Sequence, residues 1–235
     1  MTPLPQHPAL RQLASVARAL GNLKDRVVFI GGALSPLLQV DPPFPAARPT
    51  ADVDAVIATA SYAAAQRIEE TLRARGFRQD PGAKAHAHRW VSPDGVLFDL
   101  VPAGEHFGGT GSPWDQLVIA SAVETALEGG LTIRHASAPG FLALKWAAFN
   151  DRGRDDPLHS DDLEDIVALL ASRPSLVAEV EAAPEELRAF VRAQASAFLT
   201  HPFLEDLLAA YLSSAQSPAR LAAMVREILE RMAQP

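Results

Sequence analysis

Asp52 and Asp54 stand one residue apart in the run Thr50-Ala51-Asp52-Val53-Asp54-Ala55-Val56-Ile57. Side chains alternate across a strand, so carboxylates at i and i+2 leave the backbone on the same face. Upstream, Val27-Val28-Phe29-Ile30-Gly31-Gly32 reads as a buried strand ending in a diglycine. Two adjacent carboxylates facing a glycine turn repel each other unless a cation lies between them. Asp99 sits inside the apolar run Val96-Leu97-Phe98-Asp99-Leu100-Val101, where an aspartate must be paired, protonated or metal-bound. Three such groups on neighbouring strands form an oxygen-rich cage of the kind Mg²⁺ prefers, with phosphate oxygens and water completing its octahedron. Two ions roughly 4 Å apart in that cage would clamp an in-line phosphoryl displacement. The competing reading of Asp52 and Asp54 is a loop with solvated carboxylates; the diglycine before them and Asp99 after them favour the cage.

Other residues fit the same chemistry. Gly31 and Gly32 let the backbone come close to a phosphate, and a helix beginning there would offer free N–H groups. Ser35 either adds a hydroxyl to a phosphate oxygen or simply caps that helix. Lys145 interrupts the apolar helix Leu142-Ala143-Leu144-Lys145-Trp146-Ala147-Ala148-Phe149; it either snorkels to the surface or reaches a triphosphate in a cleft. Arg89-Trp90 offers base stacking or a core tryptophan. His86 and His88 share a strand face, but without a cysteine or a clear third ligand a polar strand-edge pair fits better than zinc. Arg73, Arg75 and Arg78, and Arg152 with Arg154, are where an acidic chain would meet a polyanion; as solvated helix faces they need no ligand. The sequence holds neither a Walker-type glycine loop nor a Gly-x-Ser-x-Gly elbow.

The elements that must position these groups can be read from periodicity and turn residues. The 235 residues are 48% apolar, carry a formal charge of −7 and include no cysteine. That composition supports a sizeable core and excludes a disulfide scaffold, a thiolate metal site and a cysteine nucleophile. No apolar run approaches the roughly 20 residues of a membrane span. Met1-Thr2-Pro3-Leu4-Pro5 lacks the basic and apolar regions of a signal peptide, so a cytoplasmic protein without a membrane partner is expected. Helices are predicted over 8–22, 33–38 and 61–75, the last capped by Ser61 and Gly76, and strands over 27–30 and 52–57. Pro42, Pro43, Pro45 and Pro49 make 41–49 a loop. Arg89–Val91 and Val96–Val101 form an antiparallel pair about Pro93-Asp94-Gly95, followed by a glycine-rich loop over 103–113 and a short strand over 131–134. From Pro139 the chain turns helical, with helices over 141–150 and 161–170 and three or four more to Met232. The expected class is α+β, with a sheet-bearing domain over 1–136 and a helical domain over 137–235.

Four short motifs, taken in order, resemble the nucleotidyltransferases of the AbiEii/AbiGii toxin type within the DNA polymerase β-like superfamily. They are the diglycine followed by Arg48-Pro49-Thr50-Ala51-Asp52-Val53-Asp54; Asp99-Leu100-Val101-Pro102; Leu142-Ala143-Leu144-Lys145; and Asp162-Leu163-Glu164-Asp165-Ile166. They span about residues 26–172. The resemblance implies a small mixed nucleotidyltransferase sheet flanked by helices, then a helical region that completes a nucleotide cleft. It implies Mg²⁺-dependent transfer of NMP from an NTP, ATP among the nucleotides, to a hydroxyl on RNA, tRNA or protein. It also implies a toxin role with a cognate antitoxin as partner. Asp52 and Asp54 would then hold two Mg²⁺ ions, with Mn²⁺ as an alternative metal, and Asp99 would hold one ion and orient or deprotonate the acceptor hydroxyl. Gly31, Gly32 and Ser35 would cradle the triphosphate and Lys145 would neutralise its charge. Asp162 matches a further acidic position at the nucleotide; its other reading is a helix N-terminal acid favoured by the dipole. Two departures are visible: Asp161 stands where a basic residue often occurs, and the proline loop before Arg48 is long. Two other classes remain open, a nucleotide-sensing or partner-binding module that keeps the fold without turnover, and a metal-dependent nuclease on the same cage.

Overall fold

The computed structural model describes residues 7–40, 50–80, 88–103 and 112–234. They divide into two compact units, residues 1–36 with 48–137 and residues 37–47 with 138–235. The fold is α+β.

In the first unit, helix α1 (Pro8–Leu20) starts with proline in its first turn and buries Leu13, Val16, Ala17 and Leu20 along one stripe. A 3₁₀ turn (Gly21–Arg26) leads into strand β1 (Val27–Ile30), a second 3₁₀ turn (Gly32–Leu34) and the four-residue α2 (Ser35–Leu38). The predicted helix over 33–38 is thus a 3₁₀ turn followed by a single α-turn, with Pro36 in its first turn. Strand β2 (Asp52–Ala58) precedes α3 (Tyr62–Ala74). Ser61 Oγ accepts the Ala64 N–H at 3.2 Å and caps the start of α3. At its end Gly76 has φ +83°, with Gly76 N–H donating to Arg73 and Phe77 N–H to Leu72, so both expected caps of α3 are present.

Strands β3 (Arg78–Gln79), β4 (Arg89–Val91) and β5 (Leu97–Ala103), helix α4 (Asp115–Ala120), and strands β6 (Val123–Ala126) and β7 (Thr132–His135) complete the unit. The seven strands form one mixed sheet in the order β3-β4-β5-β2-β1-β7-β6. β1 pairs antiparallel with β2, β2 parallel with β5, and β4 antiparallel with β5 across the Ser92–Gly95 turn, where Gly95 takes φ +82°. Ile68 and Leu72 of α3 line a cavity of about 270 Å³ with Ile57, Trp90 and Leu100. By strand alternation these sheet residues occupy the face opposite Asp54 and Asp99.

Three elements go beyond the sequence expectations: β3, α4 and β6. β3 has only two residues, α4 is a six-residue helix, and β6 is an edge strand whose Val123, Glu124 and Ala126 are exposed, so none carries an apolar period to read. Helix α4 is preceded instead by a hydrogen-bonded turn at Ser112. Ser112 N–H donates to Asp115 Oδ2 at 3.0 Å and Ser112 Oγ accepts the Trp114 N–H at 3.3 Å.

The second unit is helical: α5 (Ala138–Ala148), α6 (Asp161–Ser172), α7 (Leu176–Glu181), α8 (Glu185–Leu199), α9 (Leu204–Tyr211) and α10 (Pro218–Ala233). α5 begins three residues before the expected start and runs into a π-turn over Phe149–Gly153. Trp146 meets Phe149 and Phe198 edge to face, with ring centroids 6.0 and 5.3 Å apart. A Cβ on Gly153 would come within 2.6 Å of both Phe149 and Ser160, so any other residue there would push those side chains aside. Ser160 Oγ caps α6 by accepting the Leu163 N–H at 3.3 Å. Among the described residues no helix is long and apolar enough to cross a membrane. Arg48, the prolines at 42, 43, 45 and 49, His86 and most of the glycine-rich loop lie outside the described residues.

Candidate functional site

The register between β2 and β5 places Asp54 directly opposite Asp99, with Asp52 opposite Leu97. Because residues at i and i+2 share a face, all three aspartates project from one side of the sheet. One carboxylate oxygen from each lies within 4.8 Å of the others, and all three residues are half-buried. At that spacing each pair of charges repels by about 3–4 kcal/mol for an effective dielectric near 20. Such a cluster calls for cationic charge.

The neighbouring backbone is shaped around it. β1 pairs with β2 so that Ile30 faces Asp54, and Gly31 follows at the strand end with φ +76°. A Cβ on Gly31 would overlap Asp54 Oδ2 and lie 2.7 Å from its Cγ. Gly31 therefore serves Asp54 twice, by turning the chain in the left-handed region and by leaving the space its carboxylate fills. Gly32 opens the 3₁₀ turn, and Ser35, 3% exposed, donates its amide to Gly32 O. The Thr50 hydroxyl lies 3.3 Å from Asp52 Oδ1 and donates to it.

One cation is already present. Arg89, on β4, pairs in register with Asp99. Its Nε donates to Asp99 Oδ1 at 2.8 Å, and its Nη2 donates both to Asp99 Oδ2 at 2.7 Å and to Asp52 Oδ2 at 2.8 Å. These hydrogen bonds, those to Asp99 above all, hold the guanidinium charged well above its ordinary range, against the opposing effect of burial. Three carboxylates and one guanidinium leave two net negative charges. Hard oxygen donors converging at this spacing fit a divalent cation.

Lys145 and Asp162 meet each other in the second unit. Lys145 Nζ lies 3.0 Å from Asp162 Oδ1 and 2.6 Å from Asp165 Oδ2. Arg152 Nε donates to Asp162 Oδ2 at 2.9 Å. Lys145, Asp162 and Asp165 are all buried, at 8%, 3% and 3% exposure, so Lys145 does not snorkel to solvent. Burial pushes the Lys145 ammonium down, but Asp165 and Asp162 outweigh it and leave Lys145 raised. Asp162 occupies the first turn of α6, in keeping with its reading as a helix N-terminal acid.

Of the remaining sequence candidates, Trp90 takes its core reading. Trp90 is 2% exposed, on the face away from the carboxylates, with the Arg73 guanidinium 5.4 Å above its ring; it is a core side chain. Arg73 also pairs with Glu69, and Arg154 with the Asn150 side-chain oxygen. Burial depresses the His88 imidazole below its ordinary range. Sequence reasoning offers Arg89 only beside Trp90 for base stacking and Arg152 only within a basic patch, and it gives Asp165 no role of its own. The signal for Arg89 was present: it lies three residues before Ser92, and Asp99 four after Gly95, so closing the hairpin sets the two opposite each other. Arg152 carried no comparable signal, because a π-turn rather than a regular helix aims it at Asp162.

Solved structures with a similar fold were found. An antigenic nucleotidyltransferase-like protein from Paracoccidioides brasiliensis superposes with a TM-score of 0.51 at 21% identity, covering 86% of this chain and 93% of that one. ANT(2")-Ia in complex with adenylyl-2"-tobramycin gives 0.43 at 15% identity over 79% of this chain and 97% of that one. JHP933 from Helicobacter pylori gives 0.44 at 15% identity over 99% and 94%. No family model and no curated protein matches the sequence. The first of these structures shows a fold shared with a nucleotidyltransferase-like protein.

Proposed function

We propose that this chain is a divalent-metal-dependent nucleotidyltransferase that moves a nucleoside monophosphate from an NTP to a hydroxyl acceptor. The observation that carries this reading is the convergence of Asp52, Asp54 and Asp99 on one sheet face, within 4.8 Å, against a glycine whose missing Cβ makes room for Asp54. In this reading Asp52 and Asp54 would hold Mg²⁺, two ions when the substrate is present, Asp99 would help hold one of them, and Mn²⁺ would substitute. When bound, the metal supplies charge neutralisation and alignment for the displacement at the α-phosphorus. Asp99 accepts a hydrogen bond from the acceptor hydroxyl and takes its proton as the new O–P bond forms and pyrophosphate leaves. The backbone at Gly31 and Gly32 and the Ser35 hydroxyl contact the triphosphate. The chain from 137 to 235 is taken as a helical domain, within which Lys145 and Asp162 pair with each other.

The four sequence motifs support the AbiEii/AbiGii toxin type in particular. RNA, including tRNA ends, or a protein hydroxyl is then the acceptor, and an antitoxin the natural partner. Incubation with Mg²⁺, each α-labelled NTP in turn, and total RNA or protein tests the reading. Label should pass to a macromolecule with release of pyrophosphate, and Asp54→Ala should abolish the transfer. If no NTP is consumed, or if Asp54→Ala consumes it as fast as wild type, the enzyme reading is wrong.

One observation favours a second reading, a nucleotide-binding module without turnover. The fork of Arg89 already neutralises part of the carboxylate cluster. A module of that kind would gain thermal stability with NTP and form no product.

A further inference from the structure

We propose that Arg89 is a built-in counter-cation of the carboxylate cluster, one that a divalent ion must displace from Asp52, so that Arg89 sets the affinity of the site for metal. The inference rests on the metal-binding reading of Asp52, Asp54 and Asp99 given above.

Arg89 is held in place by strand register. It lies on β4 opposite Asp99, and its side chain is 22% exposed. The guanidinium engages both oxygens of Asp99, through Nε at 2.8 Å and Nη2 at 2.7 Å. The same Nη2 lies 2.8 Å from Asp52 Oδ2, so one nitrogen sits between oxygens of two of the three candidate ligands. That is where a bridging cation would lie. Mg²⁺ needs oxygen contacts of about 2.0–2.1 Å in octahedral geometry, shorter than any N–H···O contact. An ion and a guanidinium nitrogen cannot both sit between Asp52 Oδ2 and Asp99 Oδ2. Metal binding at that edge therefore requires the Arg89 fork to let go of Asp52. The displaced group remains charged and tethered beside the site.

The arrangement has a physical rationale. Without a cation the three carboxylates would repel one another and splay. Arg89 keeps them converged, at the cost of competing with the ion they are built to receive. It is a positioning residue, since the contacts that define its role are to Asp52 and Asp99.

The test is a Mn²⁺ titration of the full chain by isothermal calorimetry and by electron paramagnetic resonance of free Mn²⁺, with wild type, Arg89→Gln and Arg89→Lys. Arg89→Gln should bind Mn²⁺ at least ~10-fold more tightly than wild type, the equivalent of one unpaid displacement of about 1.4 kcal/mol. Arg89→Lys, which keeps the charge but loses the fork, should fall between them. Without metal, Arg89→Gln should melt below wild type, and Mn²⁺ should raise its melting temperature by more than it raises that of wild type. Should Arg89→Gln fold only with Mn²⁺ present, its affinity is read by competition with a chelator, and the same ~10-fold gain is required. Equal or weaker Mn²⁺ binding by Arg89→Gln, with wild type binding normally, overturns this inference and leaves the metal reading intact. Absence of Mn²⁺ binding by all three proteins overturns both.

Discussion

At the scale of single residues, Asp54 and Gly31 form one device. Asp54 faces Asp99 across β2 and β5, and its carboxylate fills the space a Cβ on Gly31 would take. Asp54→Asn keeps the shape and removes a charge. It should lower turnover by roughly 10³-fold, the scale of several kcal/mol of charge stabilisation through metal, while the melting temperature holds or rises because repulsion within the cluster is relieved. A steady-state assay paired with thermal melts checks both halves of that statement. Gly31→Ala meets two obstacles, a positive φ and a collision with Asp54. With ψ at −175° beside its positive φ, Gly31 occupies a backbone region essentially reserved for glycine, which alone costs another residue about 1–3 kcal/mol, and Asp54 must move as well. Urea unfolding should show that loss, and a Mn²⁺ titration should show weaker binding. Full retention of Mn²⁺ affinity would mean that Asp54 does not need the space Gly31 leaves. The residue types here were legible in the sequence. Their mutual distances were not, because alternation assigns a face while the partner strand and its register set the separation.

At the scale of elements, the join between α5 and α6 is an ion-paired one. Lys145 on α5 meets Asp162 and Asp165 on α6, all three buried. Removing one partner from a buried cluster leaves uncompensated charge, which typically costs 3–5 kcal/mol. Lys145→Met should therefore destabilise the chain by roughly that amount in urea unfolding, and adding Asp165→Leu should recover part of it. If Lys145 acted on nucleotide phosphate alone, Lys145→Met would raise the KM for NTP and leave the urea midpoint unchanged. Helix α4 carries a pH-dependent element. Burial pushes the Asp115 carboxyl up to about 6, against the lowering effect of the hydrogen bond from Ser112 N–H. A folded-state pKa above the unfolded one means the proton is held more tightly when folded. Asp115 thus favours the native state below about pH 4, and that contribution fades as pH rises through about 6. Asp115→Asn keeps an acceptor for Ser112 and never ionises. Its stability in urea should match wild type near pH 4 and exceed it by about 1–3 kcal/mol at pH 7. A constant difference across that pH range would contradict the burial argument.

At the scale of the whole molecule, a nucleotide-binding protein must gain stability from its ligand by mass action. With Mg²⁺ and an NTP at a hundred times its dissociation constant, the gain is about 2.7 kcal/mol, and for a chain of this size that raises the melting temperature by about 5–10 °C. Differential scanning fluorimetry with each NTP in turn would rank the bases, and an unchanged melting temperature with all of them would count against every nucleotide-binding reading of this chain. The amino-acid sequence by itself determined the core strands β1, β2 and β5, helices α1 and α3, the Ser92–Gly95 hairpin and the order of the acidic and glycine motifs. Those features are written in local periods and turn residues, which act over a few positions. Only the tertiary structure decided that Asp54 faces Asp99, that Arg89 reaches into the carboxylates, and that Lys145 spends its charge on Asp162 and Asp165. Such pairings join residues distant in sequence, and they follow from strand register and helix packing, which no short stretch of chain contains.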